Sequence, residues 1–188
     1  MGLSKTKYKI TPNKNRLAVN IFDFFKPIIF VFALVSIVFT FIIRDANVVG
    51  NSMTETLHNG DKVLITSMMY TPASGDIVAI NTENLKQKRI IKRVIATEGQ
   101  MLTINYESGE VSVDGIIIDE PYVSSQMKKA ENTKISIVIP QGSIFVMGDN
   151  RYISLDSRDE KVGLISVDDV IGKAQLVFFP FDRIRYLY

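Results

Sequence analysis

Two patterns of apolar and polar residues divide this chain. From Pro27 to Ile43 the stretch PIIFVFALVSIVFTFII holds no charge, with Lys26 before it and Arg44 after it. Beyond it, apolar residues come in short runs rich in β-branched side chains: KVLIT (62–66), DIVAI (76–80), RIIKRVIAT (89–97), MLTINY (101–106), EVSVDG (110–115), KISIVI (134–139), SIFVMG (143–148) and VIGKAQLVFF (170–179). Clusters of Gly, Asn, Asp and Pro such as HNGD, PASGD and PQG separate them and read as turns. No later segment repeats apolar residues at helical spacing. The pattern predicts a mostly β, antiparallel, barrel-like or folded-sheet domain after one helix. The one long irregular piece is residues 149–169, and such loops in compact domains are often functional.

As a helix the 17-residue run spans ~25 Å, and Ile21, Phe22, Phe24 and Phe25 extend its apolar face backward. A core helix would carry polar positions at helical period, whereas only Ser36 and Thr40 interrupt this one. A cleaved leader would end in small residues before the cut, and RDANVVG lacks them. The expectation is an uncleaved transmembrane anchor over residues 21–43. Lys5, Lys7, Lys9, Lys14, Arg16 and Lys26 against Asp23 leave the first 26 residues at +5, so with +2 for the whole chain the remainder is mildly acidic. Cations cluster on the cytoplasmic side of membrane helices, which predicts a cytoplasmic N-terminus (1–20) and an extracytoplasmic β domain (44–188) in the plasma membrane. A net charge of +2 argues against a nucleic-acid partner. The absence of cysteine removes disulfides, thiolate metal sites and thiol nucleophiles.

Chemistry then narrows by elimination. His58 is the sole histidine and sits in a turn six residues after Ser52, so neither a histidine-based metal site nor an imidazole triad is expected, and no cofactor motif appears. A hydrolase built from these residues needs a hydroxyl activated by a lysine, or a carboxylate pair. A lysine serves as a base only if burial lowers its pKa, which places it inside an apolar strand. IIKRVI (90–95) offers Lys92 and Arg93 on opposite faces, of which lysine alone can shed its charge on burial. The competing reading is an edge strand whose two cations both reach water.

Three stretches, GNSMTETL, KRVIATEGQ and MGDNRYISLDSR, together resemble the boxes of the type I signal peptidases, membrane-anchored serine proteases with a serine and lysine dyad. The resemblance covers nearly the whole chain, in the small single-anchor form of the Gram-positive branch. It implies Ser52 as nucleophile, Lys92 as general base, and Ser154 as the hydroxyl that orients the amine. Asp156 and Arg158 are implied to brace that corner, with Asp149 and Arg93 in a similar role, and Met53 to lie near the substrate pocket. The Ser52 backbone N–H is implied as oxyanion donor. Gly50 stands where some members place a second hydroxyl donor. Where the family usually has Pro, Pro and Asp, this chain has Glu55, Glu98 and Gln100. Glu55 near the dyad would favour protonated Lys92 and shift activity to alkaline pH.

The implied activity is removal of signal peptides from secreted preproteins at the outer membrane face, with lipid and the secretion translocon as neighbours. VFFPF (177–181) is either core or a lipid-touching surface. The rivals are a specialised or impaired homologue acting in pilus or secretion assembly, and a noncatalytic membrane-tethered binding domain. A self-cleaving repressor shares the serine and lysine chemistry but would need a DNA-binding module, which this sequence does not show.

Overall fold

The structure is a computed structural model that describes residues 15–41, 43–82, 89–123, 125–127 and 133–187. The predicted basic N-terminus therefore lies mostly outside the described residues. The chain divides into two compact units, one ending at Thr40 and one beginning at Phe41.

In the first unit a helix, α1 (Asn15–Phe41), carries Pro27 within it. Its described apolar side chains, Phe24, Ile28, Phe32 and Val35 among them, are exposed between residues 21 and 37. The side chains of residues 15–20, 22 and 38–43 lie outside those described. Among the described residues, no helix is long and apolar enough to cross a membrane. Ile43, expected in the helix, instead opens a strand.

The second unit is β. Its strands are β1 (Ile43–Asn47), β2 (Lys62–Thr66), β3 (Ile77–Asn81), β4 (Arg89–Thr97), β5 (Met101–Asn105), β6 (Val111–Val113), β7 (Ile116–Ile117), β8 (Lys134–Val138), β9 (Ser143–Met147), β10 (Ile165–Ser166), β11 (Val170–Phe179) and β12 (Arg185–Tyr186). The larger sheet runs β1-β2-β11-β3-β4-β9-β10 with β12 on β11, and a smaller one runs β7-β6-β5-β8. Every pairing is antiparallel.

Strand β4 organises the unit. Its first half, Arg89 to Arg93, pairs with β3, and its second half, Arg93 to Thr97, pairs with β9. Among the described residues, the β9 side of residues 89–92 is thus left without a strand partner. A register shift between Val94 and Ala96 breaks the alternation, so Val94, Ile95 and Ala96 are all buried. Among the described residues, three apolar clusters form. One gathers Val63, Ile65, Ala174 and Val177 with Met53 and Leu57; another lies between the small sheet and β9; a third holds Ile80, Ile90, Val94 and Val146. At Gly172, φ +153, a Cβ would overlap the Thr66 carbonyl, so only glycine lets β11 cross β2 so closely.

Candidate active site

The Ser52 loop leaves β1 through Gly50, whose φ of +89 reverses the chain. Met53 and Leu57 then bury one face of a turn closed by Thr56 N–H and Leu57 N–H, which donate to Met53 O at 2.9 and 2.7 Å. That spacing puts both apolar side chains into the first cluster and leaves Ser52 half-buried on the opposite side. Lys92 Nζ lies 2.7 Å from Ser52 Oγ. The two arrive from elements forty residues apart, and the lysine is 3% exposed. Burial drives its pKa down from 10.5 to about 8; Asp156 and Asp149 oppose that shift, and Arg158 reinforces it.

Arg93, the other cation of the strand, is buried too, at 2% exposure. The competing reading in which both cations reach water is therefore corrected. Asp149 takes Arg93 in a two-point grip, Nε to Oδ1 at 2.9 Å and Nη2 to Oδ2 at 2.8 Å. Gly75 O accepts a third bond at 2.8 Å, and the Tyr122 ring lies 3.8 Å from the guanidinium carbon. Asp156 receives a similar grip from Arg158, both bonds at 2.8 Å, and accepts Gly148 N–H at 2.9 Å. Burial alone would raise its pKa, but the Arg158 bonds and charge outweigh that and hold the carboxyl below its ordinary range.

Ser154 is brought to the same corner, yet its Oγ is buried without a hydrogen-bond partner. The implied bond from this hydroxyl to the Lys92 amine is not formed here. Its nearness does help to lower Asp156, although the geometry closes no bond. Gly148 makes room for it: a Cβ there would collide with Ser154 Oγ and the Ser52 carbonyl. That carbonyl accepts Asn150 N–H at 3.0 Å, tying the 148–150 turn to the nucleophile loop. Ser52 N–H has no acceptor among the described residues. The Gly50 N–H is engaged by Asn59 Oδ1 at 2.9 Å, so it is no second oxyanion donor. Met53 lines the small groove, about 70 Å³, that Val48, Val49, Ile90 and Ile91 form over the dyad.

The altered positions find structural substitutes. Glu98 accepts Gly142 N–H at 2.8 Å, and Gln100 Oε1 accepts Thr97 N–H at 2.8 Å. Glu55 sits at φ +57, a conformation closed to proline, and is not among the charges acting on Lys92. The alkaline shift expected from Glu55 is thus corrected: the carboxylates that raise Lys92 are Asp156 and Asp149. His58 makes no bond to Ser52, and its ring Nδ1 is buried without a partner, not solvated as a turn residue would be. Among the described residues no acidic or histidine cluster could hold a metal ion.

Sequence reasoning missed several members of this network. Thr56 Oγ1 donates to Asp149 Oδ2 at 2.5 Å. Arg151, 1% exposed, is gripped by Glu120 at 2.9 and 2.5 Å and donates to Gly148 O at 3.1 Å. Tyr122 donates to Glu120, closing a path to the face of Arg93.

Residues 21–179 match the family model described as signal peptidase, peptidase S26. The chain is 35% identical to signal peptidase I P of Bacillus subtilis subsp. natto, over 92% of this chain and 97% of that protein. It is 34% identical to signal peptidase I of Bacillus licheniformis, over 96% and 98%. A solved signal peptidase I from Enterococcus faecalis V583 overlays with a TM-score of 0.44 at 24% identity, over 55% of this chain and 97% of that one, too distant to bear on the fold.

Proposed function

Because the chain belongs to the signal peptidase family, peptidase S26, we propose that it cleaves signal peptides from preproteins with Ser52 as nucleophile and Lys92 as base. The observation that carries this reading is the 2.7 Å contact between Ser52 Oγ and a buried amine whose pKa is lowered to about 8. At pH 7 such an amine is neutral in about a tenth of molecules, roughly 300-fold more than at its ordinary pKa.

The neutral amine takes the Ser52 proton across that contact while Oγ attacks the scissile carbonyl carbon. The carbonyl oxygen becomes an oxyanion facing the Ser52 N–H. Collapse breaks the C–N bond, and the Lys92 ammonium returns its proton to the leaving amine. Water, deprotonated by the same amine, then hydrolyses the Ser52 ester. Arg93–Asp149 and Arg158–Asp156 hold the strand and the loop that frame the amine. Burial remains the largest influence on Lys92, with the charges of Asp156, Arg158 and Asp149 acting on it after that.

The substrate lies as an extended segment against residues 89–91 of β4, whose β9 side lacks a partner among the described residues, with small side chains entering the groove beside Met53 and Val49. The apolar run 21–41 anchors the chain in the plasma membrane, the β domain outside, close to where preproteins emerge from the translocon. Phe179 and Phe181, 40% and 78% exposed, add an apolar surface suited to lipid.

The test is cleavage of a preprotein bearing an Ala-x-Ala site by the detergent-solubilised chain. Wild type cuts at that bond, and Ser52→Ala and Lys92→Met each abolish it. Retained cleavage in either variant removes that residue from the mechanism.

A further inference from the structure

The nucleophile loop is held on its far side by the last residues of the chain, which lie beyond the family match. Three contacts converge there. Leu187, 6% exposed, packs in the same cluster as Met53 and Leu57, the two side chains that seat the Ser52 turn. Arg183 Nη1 lies 2.9 Å from the fully buried Asp61, whose Oδ2 accepts His58 N–H at the foot of the loop. Arg185 donates to the Thr56 carbonyl.

Thr56 is thereby gripped from three directions. Its N–H closes the Ser52 turn onto Met53 O, its hydroxyl reaches Asp149, and its carbonyl is taken by Arg185. Strand pairing of Arg185 with Val177 fixes the origin of that arginine on the large sheet. A side-chain amine must be met by a hydroxyl at one position, and displacements of about 1 Å can cost on the order of 100-fold in rate. The arrangement therefore links the end of the chain to the placement of Ser52.

The geometry points to Arg185 as a positioning residue, the hub of a C-terminal latch in which Arg183 and Leu187 assist, that holds the Ser52 loop in register with Lys92. This rests on the proposed dyad for its catalytic consequence but not for its structural one. Arg185 touches neither the dyad nor the groove, so its effect is transmitted through Thr56.

The experiment compares full-length Arg185→Ala, Arg185→Gln and Arg185→Lys with wild type in detergent, well below each melting temperature. Two readouts are taken: backbone hydrogen exchange, and preprotein cleavage normalised to the folded fraction. The latch predicts faster exchange at Thr56 and Leu57 in Arg185→Ala while the amides of β3 and β4 stay protected. It also predicts kcat lower by about tenfold or more with KM within about twofold, partial recovery in Arg185→Lys, and gain of activity on adding millimolar guanidinium. Should Arg185→Ala fail to fold, the Gln and Lys variants carry the same comparison. Unchanged exchange in the 53–61 loop overturns the latch whatever the activity does. Unchanged kcat per folded molecule despite a lowered melting temperature reduces Arg185 to a stabilising contact and overturns it as well. Faster loop exchange in a chain whose wild type does not cleave preprotein would instead count against the dyad reading and leave the latch standing.

Discussion

Replacing Lys92 by Met should make the protein more stable at neutral pH. The amine is 3% exposed and its folded-state pKa lies near 8, against 10.5 for the free side chain. That difference corresponds to about 3 kcal/mol at 1.36 kcal/mol per unit, borne by the fold whenever the amine is charged in both states. The sign follows from proton counting: between pH 8 and 10.5 the unfolded chain keeps a proton the folded chain has released, so wild-type stability rises with pH across that window. Below pH 8 the whole burden is present. Methionine is close in shape, apolar and without a proton to lose, and the forfeited contact with Ser52 offsets only about 1 kcal/mol. The net expectation is a gain of about 2 kcal/mol for Lys92→Met at pH 7, shrinking through the window and gone by about pH 10.5. Urea unfolding of both proteins followed by far-UV circular dichroism at pH 7 and 10.5 measures it. A stability difference that does not change with pH, or a variant weaker than wild type at pH 7, would refute the reasoning.

Asp156→Asn removes the carboxylate that most strongly raises Lys92 and frees Arg158, which lowers it, so the pH midpoint of activity should move below that of wild type. The same change leaves a mostly buried arginine unpaired and should cost about 3 kcal/mol in urea unfolding; an unmoved midpoint would contradict the electrostatic picture. Gly148→Ala forces a Cβ into Ser154 Oγ and the Ser52 carbonyl. It should lower stability by about 1–3 kcal/mol and slow acylation of Ser52 by a serine-reactive inhibitor, read by calorimetry and by mass. Glu55→Gly relieves a left-handed side-chain residue at φ +57 and should stabilise by about 1 kcal/mol without moving the pH midpoint, read by urea unfolding and a pH profile.

Much of the β domain is visible in local pattern because its strands are half-buried and bounded by turns. Residues 62–66, 89–97 and 170–179 are strands over the lengths their composition indicates. Strand β1 was not legible: IRDAN has neither alternation nor β-branched density after its first residue, and it is extended because it lies against β2. The two-residue strands β7, β10 and β12 likewise exist through their partners. Lys92 could be picked out because an amine inside an apolar strand is chemically conspicuous. Arg93 was harder to place, since its burial depends on Asp149, more than fifty residues away. Glu120, Tyr122 and Arg151 come from irregular segments with no period to betray an inward side chain, and only the fold assembles them.

The most direct test of the account is the pH dependence of kcat/KM for preprotein cleavage by the full-length chain. A neutral Lys92 acting on Ser52 predicts activity that rises with pH and is half-maximal near pH 8, the pKa that burial sets for this amine. A profile flat from pH 6 to 9, or one still climbing with full slope past pH 10, would contradict it.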